Sequence, residues 1–189
     1  MKKMVLALTG MPGAGKTEAA RYLSQLGYPV LRLGTVTDQG LDALHLPHTE
    51  DNERRFRQNV RHQHGMAAYA IQIYPQLEKA LINHTFVILD GVRSWEEYLF
   101  LKRKIRYLSS LAILSTASIR HRRLSHRNKR KLTLPQARKR DMEELTKLHA
   151  CPTIVLSDFF IINDGKRTDF YKRLREVVQK LHVSTENEG

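Results

Sequence analysis

Apolar residues along the chain fall into two patterns that alternate from one end to the other. Short runs of consecutive apolar residues predict buried strands at Met4–Leu8, Val30–Leu33, Phe86–Asp90, Leu108–Leu114 and Phe159–Ile162. Stretches with apolar residues every three or four positions predict helices at 17–26, 53–81, 94–105, 118–126, 135–150 and 168–181. The stretch 41–47 shows neither pattern and is expected to be irregular. Short strands alternating with helices predict an α/β fold with a mostly parallel sheet.

Local signals refine the predicted helices. The long stretch 53–81 is expected to contain two helices that meet near Gly65 or Pro75. Ser94 is suited to cap a helix, with Glu96 and Glu97 in its first turn. Pro135 fits the first turn of the helix that follows it.

Composition limits the class of protein. The chain has 189 residues, one cysteine and a net charge of +13, so we expect one domain spanning 1–189 with no internal disulfide. No apolar stretch is long enough to predict a membrane span, and we expect a cytoplasmic protein. The positive charge favours a polyanionic partner, either nucleic acid or a multiply phosphorylated small molecule, but a basic surface kept for solubility explains it equally well.

The first strand leads into a glycine-rich segment that matches G-x-x-x-x-G-K-[ST] and opens a predicted helix, the context this motif requires. Its glycines let backbone N–H groups wrap a phosphate, and the helix N-terminus adds partial positive charge. The lysine is expected to reach the β- and γ-phosphates of ATP, and the threonine hydroxyl to bind Mg²⁺. The predicted nucleotide-binding residues are Gly10, Met11, Pro12, Gly13, Ala14, Gly15, Lys16 and Thr17.

A second candidate site follows the strand that ends at Asp90. An acid at the carboxyl end of a central strand lies where open α/β sheets bind ligands, so Asp90 is expected to hold Mg²⁺ opposite Thr17. Arg93, three residues later, is then placed to grip a phosphate in bidentate fashion. The alternative makes Asp90 a helix cap and Arg93 a surface charge.

Taken together, LTGMPGAGKTEAA at 8–20, LDGVR at 89–93 and FFIINDG at 159–165 resemble the P-loop small-molecule kinases, the branch that holds nucleoside monophosphate kinases and dephospho-CoA kinase. Within that branch the chain resembles a little-characterised, mainly archaeal family of nucleotide-kinase-like proteins. The shared features are the spacing of Asn52, Phe56, Arg61 and Gly65 and the RD..EL pattern at 140–145. The resemblance implies a five-stranded parallel sheet between helices, an acceptor-binding helical segment at 34–82 and a basic lid at 120–140.

The resemblance also assigns roles to individual residues. It implies that Arg123 lies beside the adenine with the Asn163–Gly165 loop, although that loop also suits an ordinary strand-to-helix turn. Arg127, Arg138 and Arg140 match lid arginines that neutralise transferring phosphate, and a solvated basic face is the alternative. The implied catalytic residues are Lys16, Asp90, Arg93, Arg127 and Arg140, and the implied acceptor-binding residues are Thr35, Asp38, Arg61 and Arg93.

These features predict an ATP- and Mg²⁺-dependent phosphotransferase that acts on a small phosphorylated acceptor such as a nucleoside monophosphate. The related kinases carry Gly-Asp after the second strand, whereas this chain has Gly34-Thr35, and its nearest acid is Asp38. A hydroxyl acceptor benefits from a general base, but a phosphate acceptor needs positive charge, so the missing acid favours a phosphate acceptor. The alternatives at this position are that Asp38 takes the place of the acid or that the site has decayed. The alternatives are transfer to a hydroxyl, as in dephospho-CoA kinase, an NTPase that binds RNA or DNA through its lid, and a regulatory nucleotide-binding protein.

Overall fold

The structure, a computed structural model, describes residues 2–128 and 130–186. Within these residues the chain alternates strands and helices as the sequence predicts. The elements are β1 (Met4–Thr9), α1 (Lys16–Gln25), β2 (Val30–Arg32), α2 (Thr35–Ala43), α3 (Glu50–His64), α4 (Ala68–Asn83), β3 (Phe86–Asp90), α5 (Trp95–Lys104), β4 (Tyr107–Leu114), α6 (Ala117–Ser125), α7 (Leu134–Thr146), α8 (Ala150–Val155), β5 (Phe159–Ile162) and α9 (Arg167–Glu186).

The five strands form one parallel sheet in the order β2-β3-β1-β4-β5, which confirms the predicted fold class. Leu8 of β1 and Arg32 of β2 both pair with Asp90 of β3, so these strands end at the same edge. The glycine-rich loop after β1 and the turn after β3 therefore emerge side by side. The order of the strands alone brings the two candidate sites of the sequence together.

Helices cover both faces of the sheet and give three layers. Leu6 and Leu8 of β1 pack in one core with α1 and α9, and Val5 and Ala7 pack in the other with α4 and α5. A strand that is buried on both faces carries apolar side chains on both faces, which explains why β1 is an unbroken apolar run in the sequence.

Two helix boundaries differ from the predictions, and a third is found at one of its two predicted positions. Residues 41–43 were expected to be irregular but end α2, where Leu41 is fully buried; tertiary packing outweighs the poor helix propensity of the threonines and glycine around it. The helix predicted at 135–150 ends at Thr146, and α8 starts separately after His149, whose φ of 48° is left-handed. The helices within 53–81 meet at Gly65, while Pro75 lies inside α4.

The predicted helix starts are found where expected. Ser94 caps α5 in a reciprocal capping box with Glu97, and Thr133 does the same with Gln136 at the start of α7, where Pro135 lies in the first turn. Across the residues that the structure describes, no helix combines the length and apolar content needed to cross a membrane.

Candidate active site

A cavity of about 710 Å³ opens at the carboxyl edge of the sheet. Of the described residues that line it, eleven are Lys or Arg and five are Asp or Glu, so its walls carry a large positive excess. Fourteen of the candidate residues line this one cavity: Pro12, Gly13, Gly15, Lys16, Thr17, Asp38, Arg61, Asp90, Arg93, Arg123, Arg127, Arg140, Asn163 and Gly165.

The phosphate-binding loop, Gly10–Thr17, is closed on itself by its own lysine. Lys16 Nζ donates to the carbonyl oxygens of Gly10 (2.5 Å) and Met11 (3.2 Å). Gly10, Met11 and Ala14 belong to the loop but do not line the cavity. Gly15 caps α1 with a left-handed φ of 116°, which turns the first N–H groups of α1 toward the cavity.

Gly13 allows the loop to pack directly on α6. Its φ is 82°, and a Cβ at this position would lie 2.7 Å from the backbone oxygen of Arg120. Any side chain here would push the loop away from α6 as well as strain the backbone. The glycine is thus required by a contact between distant parts of the chain.

The ammonium group of Lys16 is held in an unfavourable environment. Burial, helped by repulsion from Arg93, lowers the pKa of Lys16 from 10.5 to about 8, although Glu144 and Asp90 act in the opposite direction. A phosphate anion in the cavity would supply the missing negative charge. The site is therefore poised for an anion beside Lys16.

This burial has a consequence for stability. Below about pH 8 Lys16 is charged in both the folded and the unfolded chain, and its burial lowers stability; between about pH 8 and 10.5 only the folded chain loses the proton, so the penalty disappears as pH rises. The free energy of unfolding, relative to that of Lys16→Met, is expected to rise by roughly 2 kcal/mol between about pH 7 and 9.5. Urea titrations of both proteins at the two pH values measure this. An equal difference at both pH values would contradict it.

Thr17 and Asp90 suit a magnesium ion. Both line the cavity, and hydroxyl and carboxylate oxygens are the ligands that Mg²⁺ prefers. Asp90 is 4% exposed, and burial raises the pKa of its carboxyl despite Lys16, Arg32 and Arg93 nearby. Its carboxylate makes no hydrogen bond within the described parts of the chain. A buried acid facing a cavity without a hydrogen-bond partner is what a cation site offers.

Opposite the loop, arginines from several elements are held by buried carboxylates. Arg93 Nη1 donates to Glu144 of α7 (3.0 Å), and its backbone N–H donates to Glu97. Arg61 of α3 donates to the same Glu97 (3.2 Å) and lies over the ring of Tyr69. These contacts place Arg61 and Arg93 together, as the sequence predicts for an acceptor site.

Arg140 of α7 also lines the cavity. It donates to Glu50 at the start of α3 (2.8 Å), and burial, together with repulsion from Arg93, lowers its pKa from 12.5 to about 10. A guanidinium whose pKa is lowered in this way lacks negative charge around it. The lowered pKa values of Lys16 and Arg140 thus both indicate that the cavity lacks negative charge.

Arg130 ties the loop between α6 and α7 to the opposite wall. It donates to Asp38 of α2 (2.8 Å) and lies 2.6 Å from Glu53 of α3, while Arg32 also pairs with Asp38. Asp38 and Glu53 form the one cluster of possible metal ligands found in the described chain, together with His48, and Arg130 already supplies a cation there.

Thr35, a predicted acceptor-binding residue, makes a local hydrogen bond at the start of α2. Its hydroxyl donates to the carbonyl of Arg32 (2.6 Å), and the residue does not line the cavity. Thr37 and Asp38, in the first turn of α2, line the cavity instead. Thr37 is buried and hydrogen-bonds the hydroxyl of Tyr69 (2.7 Å).

The opposite end of the cavity contains the residues assigned to the adenine. Arg123 Nη2 donates to the carbonyl of Asn163 (2.7 Å), and Asn163 Nδ2 donates to the carbonyl of Ala14 (2.8 Å). Arg127 is exposed at the cavity and has no hydrogen bond or ion pair to any described residue, which leaves its guanidinium available. Arg138 is exposed and lies outside the lining.

Sequence reasoning missed several residues that line the cavity, because their roles depend on distant partners. A helical reading of 35–43 would have revealed Thr37, and the acidic and basic spacing along 50–61 would have suggested the pairs of α3. No sequence signal identifies Tyr69, whose neighbours come from α2 and α3. The missed residues include Arg21, Arg32, Thr37, Glu53, Arg57, Tyr69, Glu97, Arg130, Arg167 and Phe170.

Comparison with known proteins identifies a matching family model and a similar relative. The family model described as AAA domain matches residues 6–146. A UPF0200 protein from Pyrococcus abyssi is 31% identical over 185 residues, which cover 94% of this chain and 97% of the relative.

Among solved structures, the shikimate kinase from Bacteroides thetaiotaomicron superposes with a TM-score of 0.62 at 16% identity, over 93% of this chain and 98% of its own. The dephospho-CoA kinase from Campylobacter jejuni gives 0.55 at 14% identity, over 95% and 97%. At these identities the likeness is one of fold, and that fold is the one found in P-loop kinases.

Proposed function

Because this chain belongs to the AAA domain family and, through its relatives, to the UPF0200 family, we propose that it is an ATP- and Mg²⁺-dependent phosphotransferase. Its acceptor is a small phosphorylated molecule such as a nucleoside monophosphate. The observation that carries this proposal is the single cavity in which the phosphate-binding loop faces a wall of arginines.

The charges of the cavity favour a phosphate acceptor over a neutral hydroxyl. The lining carboxylates at the acceptor end are already ion-paired: Asp38 with Arg32 and Arg130, Glu53 with Arg57 and Arg130, and Glu97 with Arg61. Carboxylates held in this way are poor candidates for a general base that activates a hydroxyl. Positive charge, in contrast, is available on both sides of the space between Lys16 and Arg93.

In this proposal the protein acts mainly by positioning and by charge, as phosphoryl transfer requires. The loop N–H groups and Lys16 hold the β- and γ-phosphates of ATP, and Thr17 and Asp90 hold Mg²⁺, which neutralises the phosphate oxygens. Arg61 and Arg93 orient the acceptor phosphate, and Arg140 with Arg127 compensates the charge that develops during transfer.

We also assign 34–82 as the acceptor-binding segment and 120–140 as the lid. Arg120, at the start of the proposed lid, is 6% exposed and lies against the phosphate-binding loop. The part of the lid that moves would therefore start after Arg120, in the loop that carries Arg127 and Arg130.

Incubation with ATP, Mg²⁺ and a panel of acceptors tests the proposal, with products identified by ³¹P NMR. The panel holds nucleoside monophosphates, dephospho-CoA and a short RNA. We expect a new phosphoanhydride on a monophosphate. The variant Asp38→Asn is expected to change the rate by less than about threefold, whereas loss of a general base would cost about a hundredfold or more.

Other products would contradict the proposal in distinct ways. Phosphate appearing on a hydroxyl, or an Asp38→Asn variant without activity, would indicate transfer of the dephospho-CoA kinase type. ATP hydrolysis that is stimulated by RNA, without any phosphorylated product, would indicate a nucleic-acid-dependent NTPase.

A further inference from the structure

Behind the phosphate-binding loop lies a buried ion pair that the proposed chemistry does not use. Arg120 of α6 donates from Nη1 and Nη2 to the two oxygens of Asp141 on α7 (2.7 and 2.8 Å). His121 Nε2 lies 2.8 Å from Asp141 Oδ2. The side chains of Arg120, His121 and Asp141 are only 8%, 12% and 14% exposed.

The same arginine also holds the loop. Arg120 Nη1 donates to the carbonyl of Pro12 (3.0 Å), and Nε donates to the carbonyl of Ser115. Because the carbonyl of Pro12 and the N–H of Gly13 belong to one rigid peptide plane, fixing the carbonyl also fixes the direction of that N–H. Arg120 thus sets the direction of one of the donors with which such a loop wraps phosphate.

Helix α7 connects this pair to the opposite side of the cavity. Arg140 and Glu144 flank Asp141 in sequence and bind Glu50 and Arg93, while Asp141 binds Arg120 of α6. One helix therefore contacts the loop through Asp141 and the acceptor arginines through Arg140 and Glu144. A displacement of α7 would affect both groups together.

We propose that Asp141 is a positioning residue that orients the phosphate-binding loop through Arg120, so that polyphosphate affinity depends on α7 being docked against α6. The inference rests on the proposed function, since it presumes that the loop binds the polyphosphate of a nucleotide. Asp141 touches no ligand itself; it acts by fixing the guanidinium that fixes the peptide between Pro12 and Gly13.

Calorimetric titrations with Mg²⁺-ADP and with Mg²⁺-tripolyphosphate test this on the full chain. In Asp141→Asn one charge-assisted pair is lost while the shape is kept, and we expect both dissociation constants to rise about tenfold with a stoichiometry that stays near one. A purely structural role would lower the stoichiometry and leave the constants of the remaining folded molecules unchanged. Arg120→Lys, which keeps the charge but loses the bidentate geometry, is expected to behave like Asp141→Asn.

Two control variants separate the possibilities. Glu143→Gln alters a neighbouring carboxylate of α7 whose ion-pair partner is Lys147, and we expect wild-type constants. Lys79→Ala, at an exposed position of α4 outside the lining of the cavity, is likewise expected to leave both constants unchanged. Unchanged constants in Asp141→Asn, or an equal change in Glu143→Gln, would overturn the inference. Absence of binding by the wild-type protein would instead remove the proposed function on which it rests.

Discussion

Replacing Lys16 with alanine is expected to abolish measurable ATP turnover, a loss of at least about a hundredfold. Lys16 is the one described residue whose ammonium lies within the phosphate-binding loop itself, on the carbonyls of Gly10 and Met11. Phosphoryl transfer depends on charge placed beside the β- and γ-phosphates, and alanine removes it. Turnover is measured as ADP formed in the presence of Mg²⁺ and the acceptor found in the panel.

The fold of this variant is expected to survive, because the lysine contributes no apolar contact to the two cores. Its thermal midpoint is expected to equal or exceed that of the wild type near pH 7, where the buried ammonium is unfavourable. Lys79→Ala, at an exposed position of α4, is the matched control and should retain full turnover. A folded Lys16→Ala protein with wild-type turnover would refute the assignment of the loop.

The second large effect concerns Arg93. Arg93→Ala is expected to lower turnover at least about tenfold, because it removes a guanidinium that faces Lys16 across the cavity and is placed to hold phosphate. It also strips Glu144 of its 3.0 Å ion-pair partner. Arg140, at 4.0 Å, remains as an ion-pair partner of Glu144. Breaking a buried ion pair destabilises a protein by about 3 kcal/mol, so a lower rate alone would not separate catalysis from folding.

The double variant Arg93→Ala/Glu144→Gln resolves this. The glutamine removes the buried charge that has lost Arg93 as a partner, and we expect the urea midpoint to return toward the wild-type value while turnover stays low. Recovery of turnover together with stability would show that Arg93 acts only through the fold. A single variant with turnover close to wild type would exclude Arg93 from the acceptor site altogether.

The strands and the phosphate-binding loop were predictable because their signals are local. Unbroken apolar runs, such as Phe86–Asp90, have no reading other than a strand buried on both faces, and the loop motif is contiguous. The boundaries of α2 and α8 were not predictable. Both helices are short, and the burial of Leu41 and the left-handed turn at His149 are decided by packing rather than by propensity.

The residues of the candidate site were likewise predictable only where their sequence signals are local. Lys16 and Asp90 lie within contiguous motifs and could be proposed from the sequence, whereas Thr37 could not, because the helical period of α2 was not recognised. Arg130 was hidden for a different reason: its partners Asp38 and Glu53 lie 92 and 77 positions away in the chain. Ion pairs across such distances leave no periodicity in a single sequence.

The ion pairs of Arg130 also affect which anions can bind in the cavity. Asp38 and Glu53 already form ion pairs with Arg130, so an anion that binds to this guanidinium must displace them. A singly charged anion such as chloride offers no more than the carboxylate it would replace, whereas a phosphate dianion brings a second charge. Because Arg130 is neutralised internally, fewer bulk counterions are released on binding, and affinity falls less steeply with salt than the number of arginines would imply. The cavity thus selects ligands by charge density through an exchange of partners.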